Sequence, residues 1–189
     1  MRHRIFPLCA LLLASVVYAQ APVSTPVASK ASELTPIASL DVPRYMGTWY
    51  EIAKYPNQFQ KKCFSETRAE YRLQTDGTVQ VINRCKTESG IYDEAIGEAR
   101  QIGPPASPKL QVRFAPSWLS WLPMVWGNYW VIDLDPAYQL VAVSEPNREY
   151  LWVLSRTPKV SAEAYLELLA RLKTQGFNLE RLVSSSQTQ

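Results

Sequence analysis

Residues 129–155 read YWVIDLDPAYQLVAVSEPNREYLWVLS, and this stretch decides the fold. Three runs rich in aromatic and β-branched residues, Tyr129–Leu134, Gln139–Ser144 and Glu149–Ser155, are separated by Asp135-Pro136-Ala137 and Glu145-Pro146-Asn147. Each run is too short for an ordinary helix and is bounded by turn residues, so each is predicted as a strand. Connections this short join antiparallel neighbours, because a parallel crossover needs a dozen residues or more.

The same pattern extends upstream. Leu110, Val112 and Phe114 alternate with Gln111 and Arg113, as in a half-buried strand. Glu94–Ile102 carries Ala95, Gly97 and Ala99 on one face, small residues that leave room on that side. Ser65–Leu73 and Thr78–Cys85 flank Thr75-Asp76-Gly77-Thr78 and read as a hairpin, and Gly47–Tyr55 opens the series. Eight short strands at regular spacing favour a sandwich or an up-and-down barrel. Downstream, Ser161 caps a helix in which Tyr165, Leu168, Leu169 and Leu172 form an apolar stripe, and Gly176 stops it. A single amphipathic helix after eight strands must dock on the outside of the sheet.

The chain has 189 residues, the size of one domain, and its 47% apolar and 20% charged content excludes intrinsic disorder. The formal charge is +3, but Arg2 and Arg4 lie in a segment expected to be removed. What remains is almost balanced, which excludes nucleic-acid binding by bulk electrostatics. The single histidine, His3, lies in the same segment. Without it the chain has no Ser–His–Asp or Cys–His nucleophile system, no histidine-ligated zinc and no histidine-held haem. No metal and no cofactor are expected.

Residues 1–19, MRHRIFPLCALLLASVVYA, have a basic start, an apolar run from Leu8 to Val17 and Val17-Tyr18-Ala19 before a cut, the layout of a secretory signal peptide. The apolar run falls short of a membrane span. Phe6-Pro7-Leu8 before Cys9 is a poor lipoprotein cleavage box, so the product is expected to be soluble rather than lipid-anchored, in a periplasm or secreted. Residues 20–40, rich in Ala, Ser, Thr, Val and Pro, read as a flexible leader, residues 41–183 as the domain and 184–189 as a tail. Cys63 and Cys85 form an even pair in an oxidising compartment, and the hairpin between them brings them together as a disulfide.

Gly47-Thr48-Trp49-Tyr50 at the start of the first strand resembles the signature of the lipocalins. Asp135 before a tight turn into Tyr138 is similar to the second motif of that family, with Pro136 where an aromatic is usual. Leu154-Ser155-Arg156 resembles the third, and the helix follows in the expected place. The runs Tyr45–Tyr55, Tyr71–Cys85 and Tyr150–Pro158 are most similar to bacterial outer-membrane lipoprotein lipocalins and apolipoprotein D. The resemblance implies an all-β, eight-stranded antiparallel up-and-down barrel with one C-terminal α-helix packed outside. It implies that Arg156 packs across Trp49 to seal one end, a structural pairing supported by cation–π attraction. It also places the binding site inside the barrel.

Alternation from Trp49 and Arg156 then selects an inner wall. Ala53 and Tyr55 share the parity of Trp49; Tyr150, Trp152 and Leu154 share that of Arg156; Ala69, Tyr71, Ala95, Gly97, Leu110, Val112 and Phe114 come from the middle strands. Composition leaves a filled core and a cavity equally open, and the resemblance implies the cavity. Within residues 116–127, PSWLSWLPMVWG, Trp118, Trp121 and Trp126 occupy the connection that a lipocalin places at its open mouth. Such a loop docks on a membrane or lipid, folds in as a lid, or forms a dimer contact; tryptophan favours the first.

The expected function is extracytoplasmic binding or carriage of a fatty acid or lysophospholipid, with transient membrane contact and no enzymatic activity. The rivals are an enzyme acting on a lipid inside the barrel and a protein-binding module using the tryptophan loop. The candidate acids for such an enzyme are Glu51, facing inward near the barrel base, and Asp133 and Asp135, close in sequence. Cys63 as a nucleophile, as in the rare enzymatic lipocalins, conflicts with its disulfide.

Overall fold

The computed structural model describes residues 33–187. The expected signal segment, residues 1–19, and residues 20–32 lie outside them. Eight antiparallel strands follow one another around a closed barrel: β1 (Gly47–Lys54), β2 (Cys63–Leu73), β3 (Val79–Thr87), β4 (Tyr92–Gln101), β5 (Lys109–Arg113), β6 (Gly127–Leu134), β7 (Leu140–Ser144) and β8 (Leu151–Ser155). β8 returns to β1, and β1 also pairs with β2, which closes the ring. A short helix, α1 (Val42–Tyr45), precedes β1, and α2 (Ala162–Thr174) packs outside, with Ser161 Oγ accepting from Ala164 N–H as its cap.

The two turns in the opening stretch are built alike. Asp135 carboxylate oxygens accept the backbone N–H of Ala137, Gln139 and Leu140 at 2.9, 2.6 and 2.5 Å. Glu145 accepts those of Asn147 and Glu149 at 2.7 and 2.6 Å. The fourth residue of each turn, Tyr138 or Arg148, takes a positive φ of 60° or 59°. An acidic side chain satisfies the backbone donors that a tight turn frees from the ladder.

Two packed layers result. One cluster fills the barrel around Trp49, Tyr71, Val81, Val131 and Val143; the other joins the outer faces of Ala53, Tyr55, Trp130, Ala142 and Val153 to Leu168, Leu172 and Phe177 of the helical segment. Two bulges divide residues between these layers. In β1 the register shifts between Glu51 and Ala53, so Glu51 opposes Leu154 of the inner cluster while Ala53 opposes Val153 of the outer one. In β6 the shift falls between Val131 and Asp133 and turns Asp133 outward to Arg171 of α2, Oδ2 to Nε 2.7 Å. One extra residue reverses the facing of everything after it.

The edges of the domain also differ from the sequence reading. Leu34 and Leu40, within the expected leader, are 2% and 1% exposed, and Ile37 N–H donates to Val131 C=O. Beyond α2, β9 (Val183–Ser184) pairs with the second half of β1, where β2 has splayed away. Gln187 Nε2 donates to the carbonyls of Glu51 and Thr67 at 2.7 and 2.8 Å, so the expected tail completes the barrel wall. Cys63 and Cys85 are joined by a disulfide with Cα atoms 5.4 Å apart, as the hairpin predicts. Among the described residues no helix is long and apolar enough to cross a membrane.

Candidate ligand-binding site

One end of the barrel is sealed. The Arg156 guanidinium lies 4.0 Å over the Trp49 ring and donates to three carbonyls, those of Tyr138, Thr48 and Arg44, at 3.3, 3.1 and 2.8 Å. Trp49 Nε1 donates to Tyr45 C=O at 2.8 Å, and Arg44 in turn covers Tyr138 at 4.0 Å. The three segments that carried the lipocalin resemblance therefore converge in one plug. Cation–π stacking and satisfied carbonyls hold it.

Above the plug the barrel is packed solid. Trp49, Val79, Val81, Val131, Val141 and Val143 are buried in one continuous cluster, joined by the expected inner residues Ala69, Tyr71, Leu110 and Leu154. Tyr71 of β2 and Tyr129 of β6 reach across the barrel from opposite sides, hydroxyl to hydroxyl at 3.0 Å, and Tyr45 joins Tyr129 at 2.7 Å. Burial raises all three phenols, Tyr71 to about 12 and the other two well above their ordinary value. Sequence reasoning missed Tyr129 and Tyr45. Tyr129 was legible from its parity with Val131, whereas Tyr45 lies in a turn of helix that no periodicity flags.

Towards the other end the inner wall opens. Val112 and Trp152 are only partly buried against the cluster, Gly97 and Tyr150 are half-exposed, and Ala95 and Phe114 are exposed. The Phe114 ring lies directly on Gly97, where an added Cβ would stand 2.7 Å from Cδ1; glycine permits this approach. Tyr150 stacks on Trp152 with centroids 5.8 Å apart, and Phe59 sits 5.5 Å from Tyr150. Trp152 Nε1 donates to Gln60 Oε1 at 3.0 Å. Gln60 Nε2 donates to Glu51, which also receives Ser185 Oγ and the Lys54 ammonium, the last at 2.9 Å. Glu51 is thus inward and 2% exposed, with both carboxylate oxygens engaged. Ala53 and Tyr55, expected on this wall, are not there: the β1 bulge turns them under α2, where Tyr55 O–H donates to Asn178 C=O at 2.9 Å.

The tryptophan loop separates into two parts. Trp118 and Met124, on the short 3-10 turns Ser117–Leu119 and Pro123–Val125, and Trp121 between them stand 73%, 85% and 75% exposed. Trp126 instead is half-buried against the outer wall. It lies 4.0 Å from the Arg100 guanidinium and 5.2 Å from that of Arg113, and its Nε1 donates to Ser120 C=O at 2.7 Å. It anchors the loop that presents the other two. Phe59 and Ile91, from the connections β1–β2 and β3–β4, are also exposed, at 68% and 69%, at this same end.

The barrel is thus plugged at one end and packed around its tyrosines, while its inner wall is partly exposed towards the other. The model of a lipocalin-like domain matches residues 40–187, and the chain belongs to the lipocalin family. It is 38% identical to temperature-induced lipocalin-1 of Arabidopsis thaliana over 85% of this chain and 86% of that one. It is 34% identical to the outer membrane lipoprotein Blc of Escherichia coli K12 over 95% and 96%, and 30% identical to apolipoprotein D of Mus musculus over 79% and 78%. Among solved structures, insecticyanin of the tobacco hornworm Manduca sexta superposes with TM-score 0.63 at 16% identity, covering 84% of this chain and 87% of that one. Apocrustacyanin C1 superposes with TM-score 0.61 at 15%, covering 79% and 81%. These two share the fold. Members of the family bind small hydrophobic ligands.

Proposed function

We propose that this lipocalin is an exported carrier that holds a fatty acid or lysophospholipid in the open half of its barrel. The observation that carries this reading is the division of the inner wall, solid below the tyrosines and open above them, beneath a rim that exposes Phe59, Ile91, Trp118 and Trp121. The work done is burial. At roughly 0.8 kcal/mol per methylene, a hexadecyl chain gains about 12 kcal/mol of gross transfer free energy. Association and ordering costs reduce this to micromolar or somewhat tighter binding.

The headgroup stays at the mouth beside Lys54, Gln60 and Trp152, and the exposed tryptophans rest on the donor lipid surface during transfer. Export rests on the signal-like residues 1–19 and the Cys63–Cys85 disulfide, and the chain is released rather than lipid-anchored at Cys9. Binding rather than reaction is supported by Glu51, whose oxygens are taken up by Lys54, Gln60 and Ser185. Native mass spectrometry of protein isolated from its producing cells tests the proposal. A stoichiometric single-chain or lyso lipid is expected; a protein that emerges empty and fails to take up either class from vesicles overturns it.

A further inference from the structure

The hydroxyls of Tyr45, Tyr129 and Tyr71 form a chain of two hydrogen bonds, 2.7 and 3.0 Å, across the middle of the barrel. Each hydroxyl carries one proton, and an O–H···O contact consumes one. With no other acceptor for them among the described residues, a chain of three hydroxyls with two links keeps one proton undonated, whichever way the links run. Burial raises all three phenols, so each remains a protonated donor at neutral pH. Tyr129 is the half-exposed member, and the next cross-strand pair toward the mouth, Gly127 with Val112, places only a hydrogen and an isopropyl group above it on that wall. When Tyr45 and Tyr71 both donate to Tyr129, the spare proton is that of Tyr129, the member this wall leaves least covered toward the mouth. A buried donor left without an acceptor is costly, and this one is placed where the leading end of a ligand arrives.

We propose that this hydroxyl chain is a binding site for an uncharged oxygen, a hydroxyl or a ketone, at the end of the lipid that enters first. The proposal rests on the carrier reading above and specifies its ligand. A carboxylate is disfavoured there. The cation that acts on Tyr45 and Tyr71 is Arg156, and its nitrogens are committed to the carbonyls of Tyr138, Thr48 and Arg44 in the plug. A neutral acceptor needs no counter-charge and accepts the spare proton directly.

The test compares unsubstituted fatty acids, from decanoate to hexadecanoate, with the same chains bearing a ketone next to the terminal methyl. Wild-type protein is compared with the variant Tyr45→Phe/Tyr71→Phe/Tyr129→Phe. All three oxygens must go, because any shorter chain of hydroxyls still keeps a spare proton, and removing all partners together leaves a shape-matched apolar floor. At the chain length that reaches the floor, the variant should lose roughly fivefold in affinity for the keto acid relative to the unsubstituted acid, the worth of one neutral hydrogen bond. An unchanged ratio at every length overturns the proposal while leaving the carrier reading intact. Failure of wild type to bind either series overturns this proposal together with the fatty-acid form of the carrier reading. A second measurement needs no variant: the infrared ketone stretch of the acid bound to wild type should lie below its frequency in hexane. A stretch at the hexane value overturns the site.

Discussion

The hydroxyl of Tyr71 on β2 lies 3.0 Å from that of Tyr129 on β6, two strands that face each other across the barrel. This single contact ties opposite walls together and marks the height at which the filled core ends. It also makes the fold sensitive to alkali. An unfolded tyrosine ionises near pH 10, whereas burial holds Tyr71 at about 12 and raises Tyr45 and Tyr129 well above their ordinary value. The unfolded chain then binds fewer protons than the folded one, so the stabilisation is complete below about pH 10 and is lost as pH rises toward 12. Melting temperatures measured across this range should fall steeply for wild type and less for the triple phenylalanine variant. Equal slopes would mean that the phenols titrate as ordinary surface groups.

Trp152 and Tyr55 separate binding from stability. Trp152→Ala removes an inner-wall aromatic that Gln60 holds in place, and should weaken long-chain lipid binding by about 1–3 kcal/mol with little change in melting temperature. Tyr55→Ala removes a side chain packed against Phe177 under α2, and should cost about 3–5 kcal/mol of stability. Its effect on affinity, measured below the melting transition, should be small. Calorimetry and a fluorescent-lipid displacement assay on both variants check the pair.

Replacing Trp118, Trp121 and Met124 with serine should slow lipid uptake from vesicles while the melting temperature barely moves, because these side chains are 73%, 75% and 85% exposed. Trp126→Ser acts differently. It removes the ring against Arg100 and Arg113 and the hydrogen bond to Ser120, so the loop should become more susceptible to protease. Faster ligand release with unchanged vesicle association in the first variant would point to a lid instead.

Intact mass of the exported protein should show a chain beginning at Gln20 and lacking two hydrogens, with no thiol alkylated until reductant is added. Cys63→Ser/Cys85→Ser should lower stability by roughly 3 kcal/mol, the closure entropy of a loop with sequence separation 22. An acylated Cys9 would instead identify an anchored lipoprotein.

The lipocalin resemblance implied the plug, whereas local pattern determined the strands, the external helix and the disulfide. Short strands bounded by Asp135-Pro136 and Glu145-Pro146 admit only antiparallel neighbours, and the hairpin between Cys63 and Cys85 leaves the cysteines one pairing. Those are consequences of chain geometry within a few residues. Which wall a side chain faces is a different matter, because a strand's parity survives only while its register does. Trp152 and Leu154 face inward as alternation requires, but Ile52 adds one residue to β1 opposite β8, and Ala53 and Tyr55 pass from the inner wall to the layer under the helix. No residue in Glu51-Ile52-Ala53 announces that bulge; it arises where β1 leaves β2 and takes β9 as its partner. The same holds for the floor and the rim. Tyr45, Tyr71 and Tyr129, or Phe59, Ile91 and Trp121, are far apart in the chain, and only closure of the barrel sets them side by side.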